Sequence, residues 1–255
     1  MPESNIKPFP LPIGTMFLRG LRGYTANFFP LTLAALATFA VYSVLGIPSV
    51  LARQSDNTIR YLTFNIAGSI LGGTAAYPWF CYALNASRSE PIDLAAPFRD
   101  WSRFIDQLVC SLWFWAALIL GLQYLWGLPS LLVVVFYAFF GFVVADKATE
   151  GPLRALGISV RLGDKRRIGI LALVGMFLLF NLSGLLPVGF AVNPLTFAIT
   201  VLTLSMTTNV TMVAWAALYD VLNDLLQANP PPPPRRRRPP KRQPRKNWRK
   251  PPGKQ

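Results

Sequence analysis

Residues 105–145 read IDQLVCSLWFWAALILGLQYLWGLPSLLVVVFYAFFGFVVA. Two apolar stretches, Ile105 to Trp126 and Pro129 to Ala145, are separated only by Gly127 and Leu128. Each approaches the roughly 20 apolar residues that cross the hydrocarbon of a bilayer. Neither alternates apolar and polar faces, as a helix on a soluble core does. Glycine frees the backbone and proline cannot continue a helix, so Gly127-Leu128-Pro129-Ser130 reads as the turn of a helical hairpin. This stretch predicts two membrane spans in sequence, and so a polytopic protein.

Working outward, four further stretches meet the same test or come close: Asn27 to Leu51, Tyr61 to Leu84, Ile168 to Pro187 and Pro194 to Leu218. The second of these carries no charge over its length. The expected fold class is therefore all-α: a polytopic membrane helix bundle of six transmembrane helices, arranged as three hairpins with cytoplasmic amphipathic connectors. Residues 1–26 read as an N-terminal segment with an amphipathic stretch, 27–219 as the transmembrane domain, and 220–255 as a disordered Pro/Arg/Lys-rich tail. Only 14% of residues are charged and 53% are hydrophobic, against about 25% charged in soluble domains. The run after Arg19 and Arg22 is long enough to span and lacks a small-residue cleavage site, so it reads as a retained helix rather than a signal peptide.

Charge placement orients the bundle. The N-terminus, the loop from Asn85 to Phe104, the loop from Asp146 to Arg167 and the tail carry three, three, six and eleven Lys and Arg. The opposite side carries only Arg53 and Arg60. Basic loops stay inside, which predicts cytoplasmic N- and C-termini in a cell inner or plasma membrane. Trp113, Trp115, Tyr124 and Trp126 are expected to anchor the ends of the third span at the interface.

Three segments share a layout: a basic-apolar opening, a span, and a Gly/Pro turn. The openings are Phe17 to Arg22, Pro97 to Phe104 and Pro152 to Leu156; the turns are Gly46-Ile47-Pro48-Ser49, Gly127-Leu128-Pro129-Ser130 and Gly184-Leu185-Leu186-Pro187. In the second opening Phe98, Trp101 and Phe104 or Ile105 recur at helical spacing, with Arg99 and Arg103 on another face. That is the layout of a helix lying in the headgroup layer. The interfacial basic residues so expected are Arg19, Arg22, Arg99, Arg103, Arg154, Arg161, Lys165, Arg166 and Arg167.

The stretch from Asp146 to Leu171, DKATEGPLRALGISVRLGDKRRIGIL, resembles a motif of the YciC-like bacterial integral membrane proteins. These are themselves similar to the membrane domain of some glycerophosphodiester phosphodiesterases. Ala155-Leu156, Ser159, Arg161-Leu162 and Lys165-Arg166-Arg167 fit the pattern, while Val160 stands where that family usually has Trp. The resemblance covers roughly residues 15 to 220 and implies architecture and a bacterial-type membrane location. It implies no activity, and no phosphodiesterase domain accompanies it.

Chemistry is sparse. Histidine is absent, which removes the commonest metal ligand and neutral-pH acid/base. Cys81 and Cys110 lie in apolar segments and read as inert thiols. Asp106, Asp146 and Asp220 fall at the cytoplasmic ends of spans. No catalytic group, metal or cofactor is expected, and the chain reads as non-enzymatic. The last span carries a polar stripe at Thr196, Thr200, Thr203, Thr207 and Thr211, widened by Ser205, Thr208 and Asn209. It either packs, with hydroxyls bonded to helix carbonyls and with Asn65, Asn181 or Ser183 across the bundle, or lines a polar groove at Thr200, Thr203, Thr207 and Thr211 for a passively transported solute or a lipid headgroup. Gly68 and Gly72 form a small-xxx-small contact motif.

From Asn229 the chain becomes PPPPPRRRRPPKRQPRKNWRKPPGKQ. Consecutive prolines favour an extended rod, and the charge opposes collapse. Arg235, Arg236, Arg237, Arg238, Lys241, Arg242, Arg245, Lys246, Arg249 and Lys250, with Trp248, are the expected contacts to anionic lipid headgroups. RNA, ribosomes or a cytoplasmic protein remain alternative partners for the same segment. The expected function is a membrane scaffold or envelope-associated factor.

Overall fold

The structure is a computed structural model, and it describes residues 13–55, 57–123, 127–190 and 193–228. Among these the chain is all-helical. The elements are α1 (Ile13–Ala26), α2 (Phe28–Gln54), α3 (Thr58–Ala75), α4 (Tyr77–Arg88), a 3-10 turn (Ala96–Arg99), α5 (Trp101–Gln123), α6 (Leu128–Tyr137), α7 (Phe140–Ala145), α8 (Pro152–Leu162), α9 (Arg167–Ser183), α10 (Leu186–Phe190) and α11 (Pro194–Ala228).

Among the described residues four helices are long and apolar enough to cross a membrane: α2, α5, the run Leu128–Ala145 and α11, with mean hydropathy 1.9, 1.7, 2.4 and 1.5. A fifth is reached only if α8 and α9, bent by 98°, count together. The remaining expected span, Tyr61 to Leu84, is divided between α3 and α4 at Ala76. Pro78 begins α4, and Arg60, Asn65 and three glycines dilute the apolar character of α3.

The hairpin turns follow their residues unevenly. At Gly127 φ is 77°, a left-handed conformation that glycine adopts freely, and Pro129 opens α6. Ser130 then donates to the Leu118 carbonyl at 2.9 Å, locking α6 to α5. Gly184 closes α9 and Pro187 lies in α10, so the helix breaks at this motif too. The first does not. α2 runs through Gly46-Ile47-Pro48-Ser49 to Gln54 with Pro48 inside it. Pro48 removes the helical hydrogen bond to the Val44 carbonyl, and Ser49 Oγ donates separately to the Gly46 carbonyl at 2.7 Å. The reversal comes at Asn57, whose Oδ1 accepts the Arg60 N–H at 3.0 Å.

The opening at Pro97 to Phe104 is not one helix. The backbone leaves helical geometry at Asp100 (φ −121°, ψ 83°), between the 3-10 turn and α5. Its aromatic residues still gather: Phe104 lies 5.8 Å from Phe98, 5.3 Å from Trp101 and 4.8 Å from Tyr77, ring centre to ring centre. Trp113 and Trp115 sit halfway along α5 rather than at its ends, and Trp115 packs edge-on against Tyr42. Tyr124 and Trp126 lie outside the described residues. The last helix continues nine residues past the expected boundary at 219, to Ala228, so residues 220–228 are helical.

The core centres on α4, α7 and α11. Tyr77, Leu84, Phe139, Phe142, Leu218 and Tyr219 are fully buried there. Rings interlock across the three helices, Phe80 on Phe142 at 5.0 Å and Phe139 on Trp215 at 5.3 Å, edge-to-face geometry that adds to area burial. α1 lies in close contact with α11. A Cβ on Gly20 would stand 2.5 Å from the Val210 carbonyl oxygen, so only glycine permits this approach.

Candidate functional site at the charged end of the bundle

One end of the bundle gathers the start of α2, the ends of α4, α7 and α11, and the start of α5. Arg88 ends α4 directly after an uncharged run, which frees its long side chain to reach beyond the apolar core. Its Nη1 meets Asp146 Oδ1 at 2.6 Å, and its Nη2 and Nε meet Asp220 Oδ1 at 2.6 and 3.0 Å. Ser87 Oγ donates to Asp220 Oδ2 at 3.0 Å, and the Tyr219 hydroxyl donates to Asp146 Oδ2 at 2.9 Å. The planar guanidinium offers several donors in a fixed fork, so one side chain ties the end of α4 to the end of α7 and to α11 about two turns before its end. Burial works against its charge, but the bonds to the two aspartates outweigh it and hold its pKa above the ordinary arginine value.

Arg103 makes a parallel tie. It donates to the Thr149 carbonyl at 2.8 Å and lies 3.5 Å from Asp106 and 3.8 Å from Asp100, while Lys147 reaches Asp100 at 3.7 Å. A short bond from the Ser102 hydroxyl, at 2.6 Å, leads the interactions that lower the Asp100 pKa.

Beside the Arg88 clasp opens a cleft of about 1210 Å³ between α1, the end of α4 with the turn after it, and the last turns of α11. Arg19 and Arg22 line it from α1, Asp224 from α11 and Glu90 from the turn. Among the described residues none of these four forms an ion pair.

The other expected basic positions separate. Arg99 pairs with Asp93 at 3.1 Å and does not share a helical face with Arg103. Arg154 and Arg161 are exposed on α8, and Lys165 and Arg166 lie in the bend to α9. Arg167 sits over the Phe136 ring at 4.1 Å. The tail contacts, Arg235 to Lys250 with Trp248, lie outside the described residues.

The threonine stripe turns inward on its own helix. Thr200 Oγ1 donates to the Thr196 carbonyl at 2.8 Å, Thr207 to Leu204 at 3.1 Å and Thr211 to Thr208 at 2.9 Å. Thr203 also reaches the Gly184 carbonyl at 2.7 Å. Of the three partners expected across the bundle, Asn181 meets Thr211 at 3.3 Å, while Asn65 bonds Tyr61 and Ser183 bonds Phe180 within their own helices. Asn209, fully buried, instead accepts the Trp79 indole N–H at 2.7 Å.

Arg88, Ser87, Glu90 and Asp224 are residues that a motif search passes over. The signal for Arg88 is positional: it lies just past a span exit, on the same predicted side as Asp146 and Asp220. No known protein family, characterised protein or solved structure matches the chain.

Proposed function

We propose that the chain is a non-enzymatic multi-pass membrane protein that acts as a scaffold or envelope-associated factor, with its basic tail held on anionic lipid. In this reading α2, α3 with α4, α5, α6 with α7, α9 and α11 form six spans, and both termini face the cytoplasm. The architecture follows the YciC-like resemblance, with α8 lying at the interface. The observation that carries it is the Arg88 clasp, which holds the ends of α4 and α7 and the late part of α11 on one side of the bundle. Those ends border the basic loops that topology rules keep inside. At 1.5 Å per residue α11 runs about 52 Å, well beyond the ~30 Å hydrocarbon core. In this reading its final turns, up to Ala228, project past the headgroups of the same face. The passive-transport reading is weaker, because the stripe hydroxyls are already bonded within the protein.

The test places the full chain, and a chain ending at Ala228, in neutral nanodiscs and floats them with phosphatidylcholine vesicles with or without phosphatidylglycerol. Capture of the full chain by anionic vesicles alone, lost on truncation and at high salt, is expected, since each basic residue near such a surface contributes about 1 kcal/mol. Equal capture by neutral vesicles sinks the lipid reading. Displacement by RNA in preference to anionic vesicles reassigns the tail to nucleic acid.

A further inference from the structure

The geometry points to a binding site for a phosphatidylethanolamine-type headgroup, a phosphate joined to a primary ammonium, in the cleft between α1, α4 and α11. The inference rests on the placement of this end of the bundle at the headgroup layer.

The walls of the cleft carry charge of both signs; Arg88 and Asp220, already paired with each other, also line it. Arg19 and Arg22, one helical turn apart, present two guanidinium groups suited to phosphate oxygens. Asp224 and Glu90 lie on the other elements, and neither pair is satisfied by a carboxylate or cation among the described residues. Arg88 lines the same cleft, but three of its five N–H donors go to Asp146 and Asp220, and it forms no ion pair with Asp224 or Glu90.

The walls are also held in place. Gly20 and Gly23 bring the α1 backbone against α11, where a Cβ on Gly23 would stand 2.8 Å from Val213. An anion alone would leave two carboxylates facing it, and a cation alone would face two arginines. A ligand carrying both charges satisfies both walls, and complementarity of this kind gives specificity. An ammonium offers three N–H donors to carboxylates; a trimethylammonium offers none.

Lipid is favoured over a free phosphoamine by the neighbouring surface. Leu18 and Leu21, on the same helix as the two arginines, are 52% and 43% exposed, apolar ground for acyl chains beside the headgroup. The volume of about 1210 Å³ exceeds the ~300–1,000 Å³ of ordinary ligand pockets, so glycerol and headgroup fit together.

The test offers the full chain in detergent an equal mixture of phosphatidylethanolamine, phosphatidylglycerol and phosphatidylcholine and reads retained lipid by native mass spectrometry. Retention of phosphatidylethanolamine about tenfold over the others is expected, a ratio equal to about 1.4 kcal/mol. Glu90→Gln with Asp224→Asn removes that preference while keeping total lipid; Arg19→Gln with Arg22→Gln lowers retention of all three. Glu90→Asp with Asp224→Glu restores the preference and controls for folding. No preference in the parent chain, or a preference untouched by Glu90→Gln with Asp224→Asn in a monodisperse protein, overturns the site. Displacement by water-soluble glycerophosphoethanolamine overturns the lipid assignment in favour of a free phosphoamine. A chain ending at Ala228 keeps the preference, so failure of the tail reading and failure of this one are separable.

Discussion

The two halves of α11 use their polar side chains in opposite ways. From Asn209 onward most of them reach other elements: Asn209 to Trp79, Thr211 to Asn181 as well as to its own helix, Tyr219 to Asp146, and Asp220 to Ser87 and Arg88. From Thr200 to Thr208 they mostly return to carbonyls of their own helix, three or four residues back. Thr203, which also bonds Gly184, is the bridge between the two patterns. A hydroxyl satisfied within its helix moves with that helix and leaves its rotation free. A side chain bonded to another element fixes both rotation and axial register. The number of polar groups on a span is thus a poor guide to how much they organise, and the second half of α11 is the part keyed to the rest of the bundle.

The clasp is where that distinction breaks most visibly. Arg88→Ala leaves Asp146 and Asp220 partly buried and unpaired, with side chains 17% and 19% exposed. Removing one partner from a fully buried pair costs about 3–5 kcal/mol. Because the Arg88 side chain is 30% exposed, a loss of about 2–3 kcal/mol is expected here. Unfolding of the detergent-solubilised chain, followed by circular dichroism against added SDS, measures it. Arg88→Lys recovers only part, since an ammonium cannot reproduce the fork. An Arg88→Ala chain as stable as the parent would remove the contrast altogether.

Why the sequence displays one half of this helix and conceals the other is a matter of range. Hydropathy and local spacing carry the spans, the Gly127 turn and the start of α11 at Pro194, because each depends on neighbours in the chain. The threonine stripe is conspicuous for the same reason. Its disposition is not, because a Thr at helical spacing looks identical whether its hydroxyl faces a groove or its own carbonyls. Gly46-Ile47-Pro48-Ser49 shows the limit of local rules: the same residue types that turn the chain at Gly127 are carried inside α2, where Ser49 bonds the Gly46 carbonyl. Arg88, Asp146 and Asp220 are up to 132 residues apart, and their meeting depends on helix rotations that no local pattern encodes.

Asn209 tests the contrast inside the bundle. Asn209→Ala strands the N–H of the buried Trp79, which donates to it at 2.7 Å. Interhelical hydrogen bonds in membranes average about 0.6 kcal/mol and reach about 1.7, and a loss within that range is expected in the same SDS titration. Trp79→Phe with Asn209→Ala then costs less than the two single changes added together, because the second substitution finds its bond already gone. Strict additivity would show that the pair contributes by packing alone.

The smallest effect belongs to the stripe. Thr200→Val removes one hydroxyl whose partner, the Thr196 carbonyl, lies a turn away on the same helix. Such back-bonds carry little net stability, and valine is as β-branched as threonine, so its rotamer cost in the helix is similar. A change near zero, within about 0.5 kcal/mol, is expected. Thr203→Val loses the Gly184 bond as well and is expected to cost about 0.6 kcal/mol, the membrane average for a bond between helices. The ordering matters more than either value. Both substitutions keep shape and differ in whether the lost hydroxyl leaves its helix. If Thr200→Val were the costlier of the two, the hydroxyl would have a partner or task outside α11, and a polar groove along the stripe would regain its place over packing.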